Sequence, residues 1–146
     1  MDVAGQNTFA LRVPGLTLRI VEVERNRSPD TSNPYDCWIN CRVEIEVPNF
    51  QGAIHWSVLQ NELRNLAADL ETMGKRVGDE SVVNFSPIEP GVILSFQMNG
   101  RGQIAAKYRF TDTSHGPGAP TLEGDFALDQ TYLEPMAVGV RALLAG

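Results

Sequence analysis

Hydrophobic and polar residues alternate most regularly between residues 38 and 47 of this chain. The odd-numbered positions are Ile, Cys, Val, Ile and Val, and the even-numbered positions are Trp38, Asn40, Arg42, Glu44 and Glu46. Successive side chains of a strand point to opposite faces of a sheet, so this pattern predicts a strand with one buried face and one wet face. The wet face carries acidic residues.

Similar alternations predict further strands, and two stretches with helical spacing predict helices. The strands are expected at 16–24, 52–56, 82–86, 92–98, 103–111 and 121–128, and the helices at 57–74 and 131–145. Ser57 with Gln60, and Thr131 with Glu134, match the capping-box pattern at the two helix starts. A change of apolar phase between Ile20 and Val21 predicts a bulge.

This order of elements predicts an α+β fold in a single domain spanning residues 1–146. A mostly antiparallel sheet is expected to carry both helices on one face, with its other face open to solvent. Residues 1–10 are expected to form a loosely ordered tail, and no internal repeat is apparent.

Composition narrows the possible partners and the compartment. The formal net charge is −6 and the isoelectric point is near 4.8, which disfavours nucleic acid and suits a basic protein partner. The first residues lack the basic and apolar regions of a signal peptide, and no apolar run is long enough to span a membrane. Two cysteines are too few for a disulfide scaffold. These features predict a cytoplasmic protein.

The residues that could carry chemistry do not form a recognisable active site. Cys37 and Cys41 would be about 13 Å apart on an extended strand, too far to share a zinc ion or a disulfide. His55 and His115 belong to no nucleophile–base pattern. The expectation is therefore a protein without catalytic residues, metal or cofactor.

The acidic sheet face is the remaining candidate site. If the first two strands pair, Glu22, Glu24, Glu44 and Glu46 gather on the open side, with Arg42 as the obvious counter-charge. Clustered like charges cost stability, so they suggest a docking surface for a basic protein, although a plain solvated face has the same pattern. Trp38, on the polar side of its strand, is either a cap on the core edge or an interface anchor.

Two segments resemble a known family. The stretch Asn33–Ile45, N-P-Y-D-C-W-I-N-C-R-V-E-I, is similar to the D-x-W-[LI]-x-[VI] entrance to the second strand in the WapI-type family of bacterial immunity proteins. Asp129–Leu133, D-Q-T-Y-L, resembles the D-Q-[ST]-x-L opening of that family's C-terminal helix. Between them, Trp56 before a leucine-striped helix and Glu89-Pro90-Gly91 before a hairpin follow the same order, so the resemblance covers about residues 10–145.

The resemblance implies a non-catalytic cytoplasmic antitoxin. Its named relative neutralises the C-terminal toxin of a secreted YD-repeat protein, in that case a tRNase. The matching residues are structural, so they imply a role but no site. The leading hypothesis is a protein that binds and blocks a basic toxin through Glu22, Glu24, Glu44 and Glu46, with Trp38 as an anchor. A homo-oligomeric module, such as a homodimer, and an unrecognised enzyme are the alternatives.

Overall fold

A computed structural model describes residues 6–146, which form two antiparallel four-stranded sheets and two α-helices. The first sheet contains β1 (Thr8–Val13), β2 (Leu16–Arg25), β3 (Trp38–Val47) and β4 (Phe50–Leu59), followed by α1 (Gln60–Gly74). The second sheet contains β5 (Ser81–Phe85), β6 (Val92–Met98), β7 (Gln103–Thr111) and β8 (Thr121–Asp129), followed by α2 (Leu133–Ala145).

The described chain therefore repeats one arrangement of elements. Each half is a meander of four sequential strands that leads into one helix. The prediction of an antiparallel α+β fold is confirmed, but the strands divide between two sheets. The repeat was not apparent in the sequence because the halves share their order of elements and no visible motif.

The strongest alternations gave the correct strands. The predicted strand over 38–47 is β3, and those over 92–98 and 103–111 are β6 and β7, all with the predicted bounds. The apolar residues of each alternation are buried, among them Val43, Phe96 and Phe110, with at most 2 % of the surface of each exposed. The period of two therefore located both the strands and the core.

Helix α1 begins later than predicted. Residues 57–59 continue β4 because Ile54, Trp56 and Val58 alternate inward, and the first helical residue is Gln60. The expected Ser57 cap is wrong: the N–H of Leu59 is bound instead by Glu62 Oε1 at 3.0 Å. The alternating pattern of the strand therefore continues past Ser57, the residue at which the capping-box pattern predicted the start of the helix.

Helix α2 also has a different start from the one predicted. A short 3₁₀ turn covers Gln130–Tyr132, and the helix begins at Leu133. Asp129, not Thr131, caps this turn by accepting the Thr131 N–H at 2.8 Å. A carboxylate before the turn satisfies an otherwise orphaned backbone donor.

Residues Thr8–Val13 form a strand that was not predicted from the sequence. Residues 1–5 of the expected loose tail lie outside the described part of the chain, and Thr8–Ala10 form the first half of β1. Gly15, with a φ of 88°, turns the chain directly into β2. The two strands pair along their length, from Thr8 opposite Val21 to Val13 opposite Leu16.

One hydrophobic core contains residues of both sheets and both helices. Helix α1 packs against α2 and β5, whereas α2 packs against β1, so each helix contacts the edge strand of the other half. We call the helix-facing side of each sheet its inner face and the opposite side its outer face. Neither helix of the described chain is long and apolar enough to cross a membrane.

Candidate functional site

The outer face of the first sheet carries six charged side chains. The strand register places them in rows across the sheet, with polar and small residues and the buried Val21 between them. They are Arg12, Arg19, Glu24, Arg42, Glu44 and Glu46. We call this set the charged face.

Glu44 is already paired within the charged face. Its Oε1 lies 2.8 Å from Arg19 Nη1, and its Oε2 lies 3.3 Å from Arg42 Nε. The Glu44 side chain keeps 35 % of its surface exposed, so these ion pairs sit at the solvent boundary. Salt bridges in this position are worth little in stability, typically about 0–1 kcal/mol, but they fix the side chains in place.

Glu46 and Glu24 are exposed and form no ion pair with residues 6–146. Glu46 lies opposite Thr17 and Gln51 at one end of the face. Glu24 lies opposite Asn40 near the other end, about 20 Å from Glu46 at the rise of a β-strand. Both carboxylates are available to a partner, but they belong to opposite ends of the face.

Glu22 does not belong to the charged face. The register of β2 shifts at Val23, and Glu22 lies opposite Cys41 on the inner side, where it is 8 % exposed. The bulge predicted between Ile20 and Val21 lies instead between Glu22 and Glu24, and it therefore turns only Glu24 outward. The expectation that the four glutamates share one open patch is wrong for this residue.

Glu22 belongs to a polar cluster at the C-terminus of α2. Its Oε1 accepts a hydrogen bond from Arg25 Nε at 3.0 Å, and Oε2 lies 3.2 Å from Arg27 Nη2. Arg25 also donates to the carbonyls of Leu143 and Leu144, both at 2.8 Å. Arginine therefore binds the orphaned carbonyls of the helix end while Glu22 neutralises it.

The environment of Glu22 acts on its pKa in two directions. Burial disfavours the charged form and raises the pKa. Hydrogen bonds from Arg25 and Asn7, together with the positive charges of Arg25 and Arg27, outweigh burial and hold the pKa below its ordinary value. Glu22 is therefore a charged structural residue.

Trp38 is half-buried at the start of β3. It lies opposite Leu59, and its carbonyl accepts the N–H of Asn26 at 3.2 Å. It thus stands where the loop between β2 and β3 meets the end of the sheet. Tyr35 in the same loop is 66 % exposed, so this loop also presents aromatic surface.

The charged face has more positive charge than the sequence indicated. Arg12 and Arg19 join Arg42, so three arginines accompany Glu24, Glu44 and Glu46. The alternation of Phe9, Leu11 and Val13 in β1 was the signal that could have placed Arg12 on the outer face. The predicted acidic surface is in fact a surface of mixed charge.

The outer face of the second sheet carries charges of both signs opposite each other. Lys107 lies opposite Asp125, and Arg109 lies opposite Glu123 with Nε and Oε2 separated by 3.9 Å. All four side chains belong to exposed residues. This face offers a matched comparison for experiments on the charged face.

The two histidines lie near Asp112, but their geometry is not that of a catalytic triad. Asp112 Oδ2 accepts the backbone N–H of His55 at 3.5 Å and lies 3.6 Å from His115 Nε2. The Ser114 hydroxyl donates to Asp112 Oδ1 rather than to an imidazole. In a triad the serine hydroxyl must reach the histidine, so this cluster is a loop cap.

The cysteines are free, and the described residues provide no metal centre. Cys41 is buried, which raises its thiol pKa to about 12, whereas Cys37 is half-buried at the entrance to β3. Within residues 6–146, no group of three His, Cys, Asp or Glu side chains could hold a metal ion. A high thiol pKa leaves Cys41 unreactive at neutral pH.

The sequence of this chain matches the model of one protein family. The sequence model described as the immunity protein WapI-like family matches residues 12–145, nearly the whole chain. No curated protein and no solved structure gives a significant match.

Proposed function

The chain belongs to the immunity protein WapI-like family, and from this premise we propose that it binds a cognate protein toxin and blocks it. An immunity role follows from the family; the toxin, its basic character, a non-catalytic mechanism and action in the cytoplasm are our proposals. Family membership is the observation that carries the proposal.

We propose that the charged face is the surface that binds the toxin. Both helices lie on the inner faces, so this outer face is covered by no helix of the described chain. Glu24 and Glu46 supply exposed carboxylates at its two ends, and Trp38 supplies an aromatic group near Glu24. Aromatic residues often supply much of the binding energy of an interface, which supports Trp38 as the anchor.

The proposed mechanism is occlusion of the toxin's functional surface. A nuclease toxin holds RNA or DNA with lysine and arginine, and Glu24 and Glu46 would pair with such residues. Glu44 would act indirectly, since it holds Arg19 and Arg42 in position. Complementary charge accelerates association and is screened by salt, so the rate should fall as ionic strength rises.

Charge reversal tests this surface. Glu24→Lys with Glu46→Lys should weaken binding to the toxin domain encoded next to the gene by at least about tenfold, mainly through slower association. The measurement is association kinetics over a salt series with the purified proteins. Both side chains are exposed and unpaired within residues 6–146, so the melting temperature should stay close to that of the parent.

The second sheet provides the matched control. Glu123→Lys with Asp125→Lys makes the same change of charge on another exposed outer face. If this control weakens binding as much as the double variant on the charged face, the effect comes from net charge and our site is wrong. A toxin that is neither bound nor neutralised by the wild-type chain would contradict the proposed function itself.

Trp38→Ala tests the anchor separately. Removing the side chain of a hot-spot tryptophan should cost at least about 2 kcal/mol of binding free energy, and this loss should be seen as faster dissociation. The folded fraction must be checked by circular dichroism because Trp38 is half-buried. Unchanged dissociation in a folded variant would assign Trp38 to the core edge alone.

A further inference from the structure

Strand β4 forms one edge of the first sheet, and within residues 6–146 part of this edge presents backbone groups that pair with no other strand. The His55 N–H donates to Asp112 Oδ2 at 3.5 Å, so it points away from β3. Alternate residues of a strand direct their N–H and C=O groups to the same side. The backbone groups of Gln51 and Ala53 therefore also point outward from β4.

Only half of this edge is covered by other parts of the described chain. Asp112 binds His55, and the Trp56 indole N–H donates to the carbonyl of Glu89 at 2.8 Å. These contacts cover the end of β4 that leads into α1. Residues 50–53 at the other end are exposed, including Phe50 with 65 % of its surface accessible.

The uncovered half lacks the features that normally protect an edge strand. Natural edges carry charges, prolines or bulges, or are very short or covered, because open backbone groups pair with other chains. Residues 50–54 read F-Q-G-A-I, with no charge and no proline. By contrast, β8 carries Glu123 and Asp125, β5 has five residues, and β1 packs against α2.

We propose that a second copy of this chain pairs with β4 across a two-fold axis at Gly52. The copies run antiparallel, with Gln51 of each opposite Ala53 of the other. Both residues direct their backbone groups outward, so each Gln51–Ala53 pair exchanges two N–H···O bonds. The two first sheets become one continuous sheet across the dimer, in a self-complementary contact.

Side chains on the inner side favour this register. Phe50 of one copy lies opposite Ile54 of the other in a non-hydrogen-bonded pair, where side chains approach closely. Aromatic and β-branched residues stabilise such cross-strand pairs. Gly52 at the axis leaves room for the Phe50 ring. Moving the register by two residues would place Phe50 opposite Gly52 in one direction and opposite Trp56 in the other. The Trp56 indole is already bound by the carbonyl of Glu89.

Charge and area further define the contact. The chain carries a formal charge of −6, yet residues 50–54 are uncharged, so their pairing sets no like charges directly opposite each other. Five residues a side bury far less than the roughly 800 Å² per partner of a standard interface. We therefore expect a reversible dimer that forms as concentration rises. Formation of this dimer does not depend on toxin binding.

Sedimentation analysis over a concentration series tests the dimer. The apparent mass of the wild-type chain should rise from 16.0 kDa toward twice that value. Phe50→Lys should abolish the rise, and Ile88→Lys should not, although Ile88 is 64 % exposed and Phe50 is 65 % exposed. A wild-type chain that stays monomeric, or two variants that behave alike, would overturn the proposal.

Cysteine cross-linking tests the register. An added Cβ at Gly52 meets nothing within 4 Å, so Gly52→Cys should fold and place two thiols at the axis. In a Cys37→Ser background, diamide should yield a covalent dimer for this variant. Ala105→Cys, at an exposed site within the second sheet, should remain monomeric. Equal cross-linking of both variants would rule out the Gly52 axis.

Discussion

Glu22 shows how one buried carboxylate connects the start of the chain to its end. It neutralises Arg25, which binds the last carbonyls of α2, and it also accepts a hydrogen bond from Asn7 at 3.3 Å. Removing one partner of such a cluster leaves the other charge buried and poorly paired. Glu22 therefore stabilises the contact between β2 and α2.

The lowered pKa of Glu22 predicts a specific pH dependence. A carboxyl whose pKa is lower when folded stabilises the protein above its unfolded pKa, near 4.5, and loses this effect as pH falls through the folded pKa. Glu22→Gln should cost about 2 kcal/mol at neutral pH, and the difference should shrink in acid. Urea unfolding of both proteins over a pH series measures it.

Glu24→Gln is the control for this measurement. Glu24 is two residues away, exposed and without an ion pair in the described chain, so its substitution should change stability by less than about 0.5 kcal/mol at any pH. If the wild type remained more stable than Glu22→Gln by the same free energy of unfolding down to low pH, this result would contradict the charged state assigned to Glu22.

The position of Glu22 also marks a limit of sequence reasoning. Val21 is 5 % exposed although its register places it with Arg42 on the outer face. Two adjacent apolar residues, Ile20 and Val21, therefore looked like a change of phase, whereas the bulge lies at Val23. A shift of two residues decides whether Glu22 faces solvent or the core, and tertiary packing sets that shift.

The contact between helix α2 and strand β1 joins the two halves of the chain. At Gly139, an added Cβ would lie 2.9 Å from Cδ2 of Phe9, which is 6 % exposed. Gly139 thus allows the helix to approach the aromatic ring. Glycine within a helix costs about 1 kcal/mol relative to alanine, so the close contact must compensate for that cost.

Gly139→Ala should therefore lower stability by about 1 kcal/mol despite its better helix propensity, because the methyl group overpacks against Phe9. In a Phe9→Leu background the same substitution should be neutral or stabilising, since the ring is gone. Chemical unfolding of the four proteins gives the coupling free energy. Equal effects of Gly139→Ala in both backgrounds would show that the two residues do not interact.

Predictability also differed between elements. The bounds of strands β3, β6 and β7 were predicted correctly because full alternation coincides with burial of one face. Strand β1 was missed, although Phe9, Leu11 and Val13 alternate before Pro14 and Gly15, a turn signal. The division into two sheets depends on which strands pair, and no local pattern contains that information.

At the level of the whole chain, the acidic composition did not predict the charge of its surfaces. The −6 net charge is a property of the complete sequence, whereas the charged face carries three arginines and three glutamates. Pairing brings Arg19 to Glu44 from 25 residues away. The alternation of residue types along the strands predicted the candidate glutamates. The arginines that lie beside them could be identified only once the pairing of the strands was known.

The shared core predicts that both halves unfold together. Both tryptophans, Trp38 and Trp56, lie in the first half, so fluorescence reports that half while circular dichroism reports the whole chain. Leu133 in α2 is fully buried and would lie 3.5 Å from an added Cβ at Gly74 in α1. Removing its side chain therefore disturbs the contact between the helices.

Leu133→Ala should lower the stability of the entire chain by about 2–5 kcal/mol, the usual cost of a large core cavity. Because a single core joins the halves, tryptophan fluorescence should shift to the same lower denaturant midpoint as circular dichroism. A fluorescence midpoint that stays at the wild-type value would mean that the first half unfolds on its own. The residues 1–146 would then contain two units rather than the single domain predicted from the sequence.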